Sequence, residues 1–262
     1  MRATRELEHC YGEHVHILDD PLASTLLAKL CAQETIQPAV NRLVAALYRQ
    51  MVCTVISNEI PTVHATMPTR MSASEEKGVW SGDIIDPKVK VAVVCVARAG
   101  IFPSQVSYDF LNEILEPAGV RQDHMLMNRV TGADGGIAGA AIHGAKIGGP
   151  VDDTTLLIPD PMGATGTTIV TLIDHYKNNV PGTAAGVVAL NLIITPEYIK
   201  RLKDATPQAQ IYAYRLDRGL SPDDVLAAKP GEFWERERGL NDSGYIVPGG
   251  GGFGEVMNNA LE

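Results

Sequence analysis

Strand-like and helical segments alternate along residues 89–216, and this alternation limits the folds open to the chain more than any other feature. The segment VKVAVVCVARAG (89–100) is almost wholly apolar and rich in β-branched residues, as expected for a strand covered on both faces. The other predicted strands are 154–158, 183–194 and 209–216, and the predicted helices are 104–115, 167–177 and 196–204. Short connections between such elements form βαβ units. We therefore predict an α/β fold with a central, mostly parallel sheet flanked by helices.

The segments around this region are less regular. Apolar residues at helical spacing predict helices over 21–34 and 38–56, at the front of the chain. The residues between 58 and 89 are punctuated by Pro, Met and Gly, which predicts irregular strands or an arm. The glycine-rich segment 131–150 predicts a long loop. The tail, 219–262, is turn-rich and polar, although Tyr245 to Val247 within it predict a short strand.

Charge and hydropathy exclude several kinds of partner. The formal net charge is −9, from 22 basic and 31 acidic residues, and no basic stripe is present, so we expect no nucleic-acid partner. The apolar runs are far shorter than the roughly 20 residues of a membrane span, so we expect no membrane partner. The N-terminal segment is charged and lacks a signal-peptide core, which predicts a cytoplasmic protein.

The segment LLIPDPMGATGTTIVTLIDHY (156–176) carries the strongest sign of chemistry. Asp160 follows an apolar strand, and the small residues from Gly163 to Thr168 lead into a helical pattern. Ligands of open α/β sheets bind beyond the carboxyl ends of the strands, and a helix N-terminus favours an anion. An ordinary strand-to-helix joint with a threonine cap is the alternative. The segment lacks the lysine of a nucleoside-triphosphate loop and the glycine spacing of a dinucleotide-binding turn.

Three motifs carry a resemblance to a known family. The sequence from Asp160 through Thr168 resembles the phosphoribosyl-pyrophosphate loop of the type I phosphoribosyltransferases, and D-P-M-x-A-T-G resembles the uracil phosphoribosyltransferase branch in particular. The segment ARAGI (97–101) is similar to that family's pyrophosphate loop, and GYIVPGGGG (244–252) is similar to its uracil-binding segment. The motifs occur in family order, and the resemblance covers residues 90–262.

The resemblance implies a set of site residues. Asp160 would hold the ribose hydroxyls of phosphoribosyl pyrophosphate (PRPP), Arg98 would face its pyrophosphate with an unusual peptide geometry after it, and Arg129 would meet the pyrophosphate from the start of the glycine-rich loop. These three are the candidate catalytic residues. The further PRPP-binding residues are Ala99, Gly100, Pro161, Met162, Gly163, Ala164, Thr165, Gly166, Thr167 and Thr168, of which 164–168 would wrap the 5-phosphate. The base-binding residues are Tyr245, Ile246, Gly251, Gly252 and Phe253.

The resemblance also implies a fold, a cofactor and an assembly. We expect a type I phosphoribosyltransferase fold in one domain, 1–262: N-terminal helices (1–57), an arm (58–89), a core sheet (90–218), and a small C-terminal hood with the base-binding segment (219–262). Mg²⁺ would arrive on PRPP, with no metal ligand supplied directly by the protein. The family's members generally form homodimers or higher homo-oligomers. The implied activity converts PRPP and uracil into UMP and pyrophosphate, a step of pyrimidine salvage.

The chain departs from the family pattern at the base-binding segment. That pattern continues P-G-L-G-D-A-G-D, whereas here its first aspartate is replaced by Gly252, its alanine by Phe253 and its second aspartate by Glu255. Residues 221–238 form an insertion of about twenty residues. The departures leave two alternatives open: a phosphoribosyltransferase for a different base, with Phe253 narrowing the base pocket, and a non-catalytic nucleotide-binding homologue.

Overall fold

The computed structural model describes residues 5–131 and 137–260, and it contains a central sheet with helices on both faces. The strands are β1 Val15–Ile17, β2 Thr62–Pro68, β3 Val79–Ile85, β4 Lys90–Ala97, β5 Val120–Thr131, β6 Ile137–Lys146, β7 Thr154–Pro159, β8 Met162–Gly163, β9 Gly186–Ile194 and β10 Gln210–Leu216. The strand order is β1-β10-β9-β7-β4-β5-β6, with the short β8 pairing with β9. All these pairs are parallel except β5 with β6, which confirms the predicted mostly parallel sheet.

The helices cover the two faces of the sheet. They are α1 Pro21–Leu30, α2 Ala39–Glu59, α3 Ile101–Asn112, α4 Thr167–Asn179, α5 Pro196–Ala205, α6 Asp223–Ala227 and α7 Phe253–Asn258. Successive side chains of a strand point to opposite faces. Accordingly Val91 and Val93 of β4 join the core cluster that contains residues of α1, α2, α3 and α7, whereas Ala92 and Val94 join the cluster that contains residues of α4 and α5. This double burial is why the β4 sequence is continuously apolar.

Helix ends follow the cap residues in the sequence. The Asp20 carboxylate accepts hydrogen bonds from the backbone N–H groups of Leu22 and Ala23 and so caps α1, which begins at Pro21. In the same way the Thr195 hydroxyl accepts from the Tyr198 N–H and caps α5. Side-chain acceptors at this position satisfy N–H groups that have no partner within the helix. The second of these caps also lies beside the candidate site.

Two parts of the sheet differ from the sequence prediction. The glycine-rich residues 131–150 were expected to form a loop, but residues 137–146 form β6, which pairs antiparallel with β5 from His124↔Lys146 to Thr131↔Ile137. The small side chains of IAGAAIHGAK give little sign of a strand, and its pairing with β5 stabilises it. Residues 132–136 of the expected loop lie outside the described part of the chain. The N-terminal segment, for which only helices were predicted, also contributes β1. This strand pairs with β10 and is the outer strand on the side of the sheet opposite to β6.

The predicted arm is a hairpin of β2 and β3 in a sheet of its own. Its register runs antiparallel from Thr62↔Ile85 to Pro68↔Val79. Most of its residues are exposed, and its exposed apolar side chains are Val63, Met67, Met71, Val79 and Trp80. A groove of about 530 Å³ lies where the hairpin joins the body, lined in part by Ser57, Thr62 and Ile114. These lining residues are near the amino end of β4. Ligands of such sheets bind beyond the carboxyl ends of the strands, on the opposite side.

Raising the pH above about 10 should destabilise the fold. Burial, followed by nearby charges, raises the pKa of Tyr48 and Tyr198 well above the ordinary value, and burial also raises the pKa of Tyr176 and Tyr214. These tyrosines ionise at lower pH in the unfolded chain than in the folded one, so their stabilising effect is complete below pH 10 and is lost as the pH rises further. Urea midpoints should agree between pH 8 and 9 and fall by pH 11, and equal midpoints at pH 9 and 11 would contradict the expectation.

Candidate active site

The carboxyl ends of β4, β7 and β9 meet at one edge of the sheet, and the predicted loops start there. The loop after β4 lies directly against the end of β7, because a Cβ atom added to Gly100 would lie 2.7 Å from the Val96 carbonyl oxygen and 3.0 Å from that of Pro159. Only glycine fits between two backbones at this separation. The structure thus brings Arg98, Ala99 and Gly100 beside the residue that precedes Asp160.

Backbone and side-chain contacts fix the position of Asp160. Its N–H donates to the Leu190 carbonyl oxygen at 3.0 Å, and its own carbonyl oxygen accepts from Asn191 Nδ2 at 2.6 Å. Tyr48 and Tyr198 are fully buried nearby, and after burial the charge of Asp160 is the next cause that raises their pKa. The carboxylate therefore sits at the boundary between a polar edge and a closely packed interior.

Asn191 of β9 and Thr195, directly after β9, support the site, and neither residue was predicted from the sequence. The Thr195 N–H donates to the Gly163 carbonyl oxygen at 3.1 Å, and the Thr195 hydroxyl donates to the Ala164 carbonyl oxygen at 2.6 Å. This one residue therefore caps α5 and holds the turn after Asp160. Asn191 is a polar residue within an otherwise apolar strand, and Thr195 directly follows that strand. These two positions are the sequence feature that could have indicated the role.

The turn before α4 has the geometry of an anion-binding loop. Gly166, its N-cap, has a φ of +74°, and the Thr165 hydroxyl lies 3.2 Å from the Thr167 hydroxyl and accepts from the Thr167 N–H at 3.4 Å. Helix α4 then begins at Thr167, so the first-turn N–H groups of residues 167 and 168 have no carbonyl acceptor within the helix. Hydroxyl groups and such N–H groups together suit a phosphate.

Gly166→Ala should destabilise the protein by about 1–2 kcal/mol and weaken binding of a 5-phosphate. The residue has a positive φ, and an added Cβ would lie 3.0 Å from Leu202 and 3.1 Å from Arg201. Gly186→Ala is the matched control, because an added Cβ there meets nothing within 4 Å and its φ is not positive. Urea denaturation of both variants measures the difference, and equal free energies of unfolding would show that the loop tolerates a side chain.

Arg98 lies at the loop after β4, where its side chain contacts the C-terminal segment. Its Nη2 donates to Glu255 Oε1 of α7 at 2.9 Å, and both side chains are partly exposed. The peptide bond between Ala97 and Arg98 is cis, so the unusual peptide precedes Arg98 rather than following it as expected. The Arg129 backbone pairs with Ala140 across β5 and β6, while the Arg129 side chain lies outside the described residues.

The glycine run of the base-binding segment is held by the end of β10. The Gly249 N–H donates to Asp217 Oδ2 at 2.7 Å, and the Gly249 carbonyl oxygen accepts from Arg215 Nη2 at 2.7 Å. Arg215 and Asp217 also form two hydrogen bonds with each other, at 2.7 and 2.8 Å. Charge-assisted pairs of this kind fix a backbone firmly. Neither residue was predicted from the sequence, although the charged sequence RLDR (215–218) at the end of an apolar strand could have indicated them.

The predicted base-binding residues occupy different environments. Tyr245 is exposed, Ile246 and Phe253 are buried in the core, and Gly251 has a φ of +78°. The expected strand at 245–247 is absent: among the residues that the structure describes there, Ile246 makes only a single bridge with Leu240. The Phe253 ring lies under Gly250, where an added Cβ would be 2.6 Å from it, so the ring packs on the core below the glycine run.

The insertion at 221–238 is tied to the body through Glu237, whose side chain is fully buried. Its Oε1 accepts from Arg218 Nη1 and from the Gly231 N–H, each at 2.9 Å, and its Oε2 accepts from the Tyr11 hydroxyl at 2.5 Å. Trp234 packs edge-on against Tyr11, with ring centroids 5.0 Å apart. The insertion is therefore an ordered part of the protein that links the N-terminal segment to the strand end at Arg218.

The described part of the chain contains neither a metal-binding cluster nor a membrane-spanning helix. Within residues 5–131 and 137–260, no group of three His, Cys, Asp or Glu side chains is arranged to hold a metal ion. In the same described part of the chain, no helix has the length and apolar character needed to cross a membrane.

The sequence matches one protein family over most of its length. A family model described as uracil phosphoribosyltransferase matches residues 17–236. The uracil phosphoribosyltransferase of Thermococcus kodakarensis is 26% identical over 90% of this chain and 86% of its own length, and that of Pediococcus pentosaceus is 26% identical over 92% and 96%. The Thermococcus sibiricus enzyme is 32% identical, but its match covers 39% of this chain and only 35% of the relative's length.

A solved structure shows the same fold. The AQ2163 protein from Aquifex aeolicus has a TM-score of 0.69 with this chain at 18% identity, covering 93% of this chain and 97% of that one. The mostly parallel central sheet with flanking helices is a type I phosphoribosyltransferase fold. Since the family model covers most of the sequence, the chain belongs to the uracil phosphoribosyltransferase family.

Proposed function

We propose that the protein transfers the 5-phosphoribosyl group of PRPP to uracil, giving UMP and pyrophosphate. The observation that carries the proposal is the position of Asp160, which lies between the Arg98 loop on one side and the Gly163–Thr168 turn on the other. A sugar that bears a pyrophosphate at one end and a phosphate at the other requires this order of groups. Family membership supports the choice of uracil as the acceptor.

The reaction needs stabilised charge more than a strong nucleophile. A ring nitrogen of the base forms a bond to the anomeric carbon, the bond from that carbon to pyrophosphate breaks, and the electron pair leaves with pyrophosphate. Loss of the base N–H proton completes the balance. Arg98 would stabilise the leaving charge, Asp160 would hold the ribose hydroxyls beside a developing cationic sugar, and residues 164–168 would hold the 5-phosphate. Arg129 remains a proposed second cation for the pyrophosphate.

The remaining roles concern the metal and the base. Mg²⁺ bound to the oxygens of PRPP would neutralise part of the pyrophosphate charge. The base would lie against the backbone of residues 251–253, next to Ile246 and the exposed Tyr245. A backbone held through Gly249 by Arg215 and Asp217 is suited to reading the edge of a base.

An assay of UMP formation tests the proposal. The protein with PRPP, uracil and Mg²⁺ should produce UMP and pyrophosphate in equal amounts, and both products should be absent when PRPP is replaced by ribose 5-phosphate. A protein that forms neither product, and that also fails to bind UMP in calorimetry, would contradict the proposed function.

Gly252 favours a second candidate, a transferase for another base or a homologue that binds nucleotide without turnover. Its lack of a side chain removes a carboxylate from the base-binding segment. A panel of pyrimidines and purines, each supplied with PRPP, distinguishes the alternatives. Preference for another base would select the first, whereas tight UMP binding without turnover of any base would select the second.

The exposed hairpin supports the expected homo-oligomer. A two-stranded sheet is marginally stable by itself in water, and this one exposes four large apolar side chains, Val63, Met67, Val79 and Trp80, that a second copy could cover. Sedimentation velocity should therefore show a dimer or larger assembly at micromolar concentration. The single-domain organisation and the cytoplasmic location remain predictions from the sequence.

A further inference from the structure

Arg98 and Glu255 form an ion pair between two parts of the site that are 157 residues apart in sequence. Arg98 belongs to the loop after β4, and Glu255 belongs to α7 in the C-terminal segment. The Nη2 to Oε1 distance is 2.9 Å, and the two side chains are 48% and 36% exposed, so the pair remains accessible to solvent and to ligands. The guanidinium assigned to pyrophosphate is therefore already in contact with an anion.

The packing of α7 holds Glu255 at this place. Phe253 and Met257, on the same helix, are buried in the core cluster that also contains α2 residues. Gly254 lies directly over the loop, since an added Cβ there would be 3.6 Å from the Ala99 nitrogen and 3.7 Å from its Cβ. The helix thus lies against the loop through backbone and small side chains, and this packing places Glu255 beside Arg98.

Gly252 makes this position of the Glu255 side chain possible. A Cβ atom added to Gly252 would overlap Glu255 Oε2, although the φ of −82° at residue 252 is one that any residue adopts. A side chain at 252 would therefore meet the Glu255 carboxylate, and it would need no change of the backbone conformation. Glycine at 252 and glutamate at 255 are therefore coupled, and a side chain at 252 would displace the carboxylate from its place beside Arg98.

We infer that Glu255 is an internal competitor of pyrophosphate for Arg98. This inference rests on the proposed function, in which Arg98 contacts the pyrophosphate of the donor. Binding of PRPP would then exchange one anionic partner of Arg98 for another, and release of pyrophosphate would allow Glu255 to return. A partly exposed ion pair contributes little free energy, so the exchange lowers affinity without preventing binding. Glu255 thereby limits how tightly both the donor and the pyrophosphate product are held.

Binding of inorganic pyrophosphate in the presence of Mg²⁺ tests the competition without reference to the base. By calorimetry, Glu255→Gln and Gly252→Ala should each lower the Kd about two- to fivefold relative to the native protein. The double variant should bind no tighter than either single one, because both changes remove the same contact. Glu116→Gln is the matched control and should leave the Kd unchanged. Glu116 is an exposed carboxylate before β5, at the amino ends of the strands and away from the site.

The chemical reactivity of Arg98 gives a second readout that needs no ligand. Phenylglyoxal modifies accessible arginines, and mass spectrometry of the peptide containing Arg98 should show faster modification in Glu255→Gln and Gly252→Ala than in the native protein or in Glu116→Gln. Equal rates in all four proteins would overturn the inference, because the ion pair would then not restrict Arg98.

The outcomes of the binding experiment separate the inference from the proposed function. Native and Glu255→Gln proteins that bind pyrophosphate equally would overturn the competition and leave the proposed function standing. Weaker binding by Glu255→Gln would also overturn it, by showing that the carboxylate supports the ligand or its metal. Absence of pyrophosphate and PRPP binding in every variant would contradict the role of Arg98 and the proposed function together.

Discussion

Asp160→Asn should lower kcat/KM for PRPP by about a hundredfold or more, with uracil held at a saturating concentration. The amide keeps the size of the side chain, but it carries no charge and offers one acceptor oxygen in place of two. Two ribose hydroxyls would lose a charge-assisted acceptor, and the developing positive charge on the sugar would lose its nearby carboxylate. The backbone hydrogen bonds of residue 160 to Leu190 and Asn191 do not involve the altered atoms, so the loop should stay in place.

A stability measurement separates this loss from unfolding. Urea denaturation of Asp160→Asn beside the native protein shows how much folded protein is present under the assay conditions, so the two contributions can be separated. Asp174→Asn, on the exposed side of α4, is the control and should keep both stability and kcat/KM. An Asp160→Asn variant with native kcat/KM would remove Asp160 from the proposed mechanism.

Glu237→Ala should lower the free energy of unfolding by about 3–5 kcal/mol. The Glu237 side chain is 0% exposed and that of its partner Arg218 is 11% exposed, so the substitution leaves a guanidinium largely buried without its counter-ion. The Tyr11 hydroxyl and the Gly231 N–H lose their acceptor at the same time. Unpaired buried charges and donors are among the most destabilising changes that one substitution makes.

Two further variants calibrate this loss of stability. Glu232→Ala removes an exposed carboxylate from the same insertion and should cost less than about 0.5 kcal/mol. Glu237→Gln keeps one acceptor oxygen and should lie between the native protein and Glu237→Ala. If Glu237→Ala unfolds within 1 kcal/mol of the native protein, the insertion is not held to the body by this side chain, contrary to the structure.

The parts of the fold that the sequence predicted well are those whose pattern is local. The β4 sequence is continuously apolar because both of its faces are buried, and the turn from Gly163 to Thr168 carries its glycine and threonine signals within a few residues. Both could be identified without knowledge of the rest of the chain. The sheet class and the position of Asp160 at a strand end followed directly from these segments.

The parts that were missed depend on contacts between distant segments. Strand β6 is rich in alanine and glycine, its extended structure is stabilised by pairing with β5, and no local pattern indicates that partner. The pairing of Arg98 with Glu255 joins the loop after β4 to α7, and the hydrogen bonds of Arg215 and Asp217 to Gly249 join a strand end to the C-terminal segment. A single sequence shows the charged residues but not which of them come together.

The pairing of β1 with β10 has a consequence for synthesis of the protein. His16 lies opposite Tyr212, which is 196 positions later in the chain, so this edge of the sheet forms only after almost all residues have been made. Closing so long a segment is entropically costly and slow. Strand β1 leaves the ribosome first and must therefore wait for β10. Chains interrupted before residue 210 lack β10, so β1 and the edge of β9 should both remain unpaired and prone to associate with other chains, which makes completion of β10 a condition for a closed sheet.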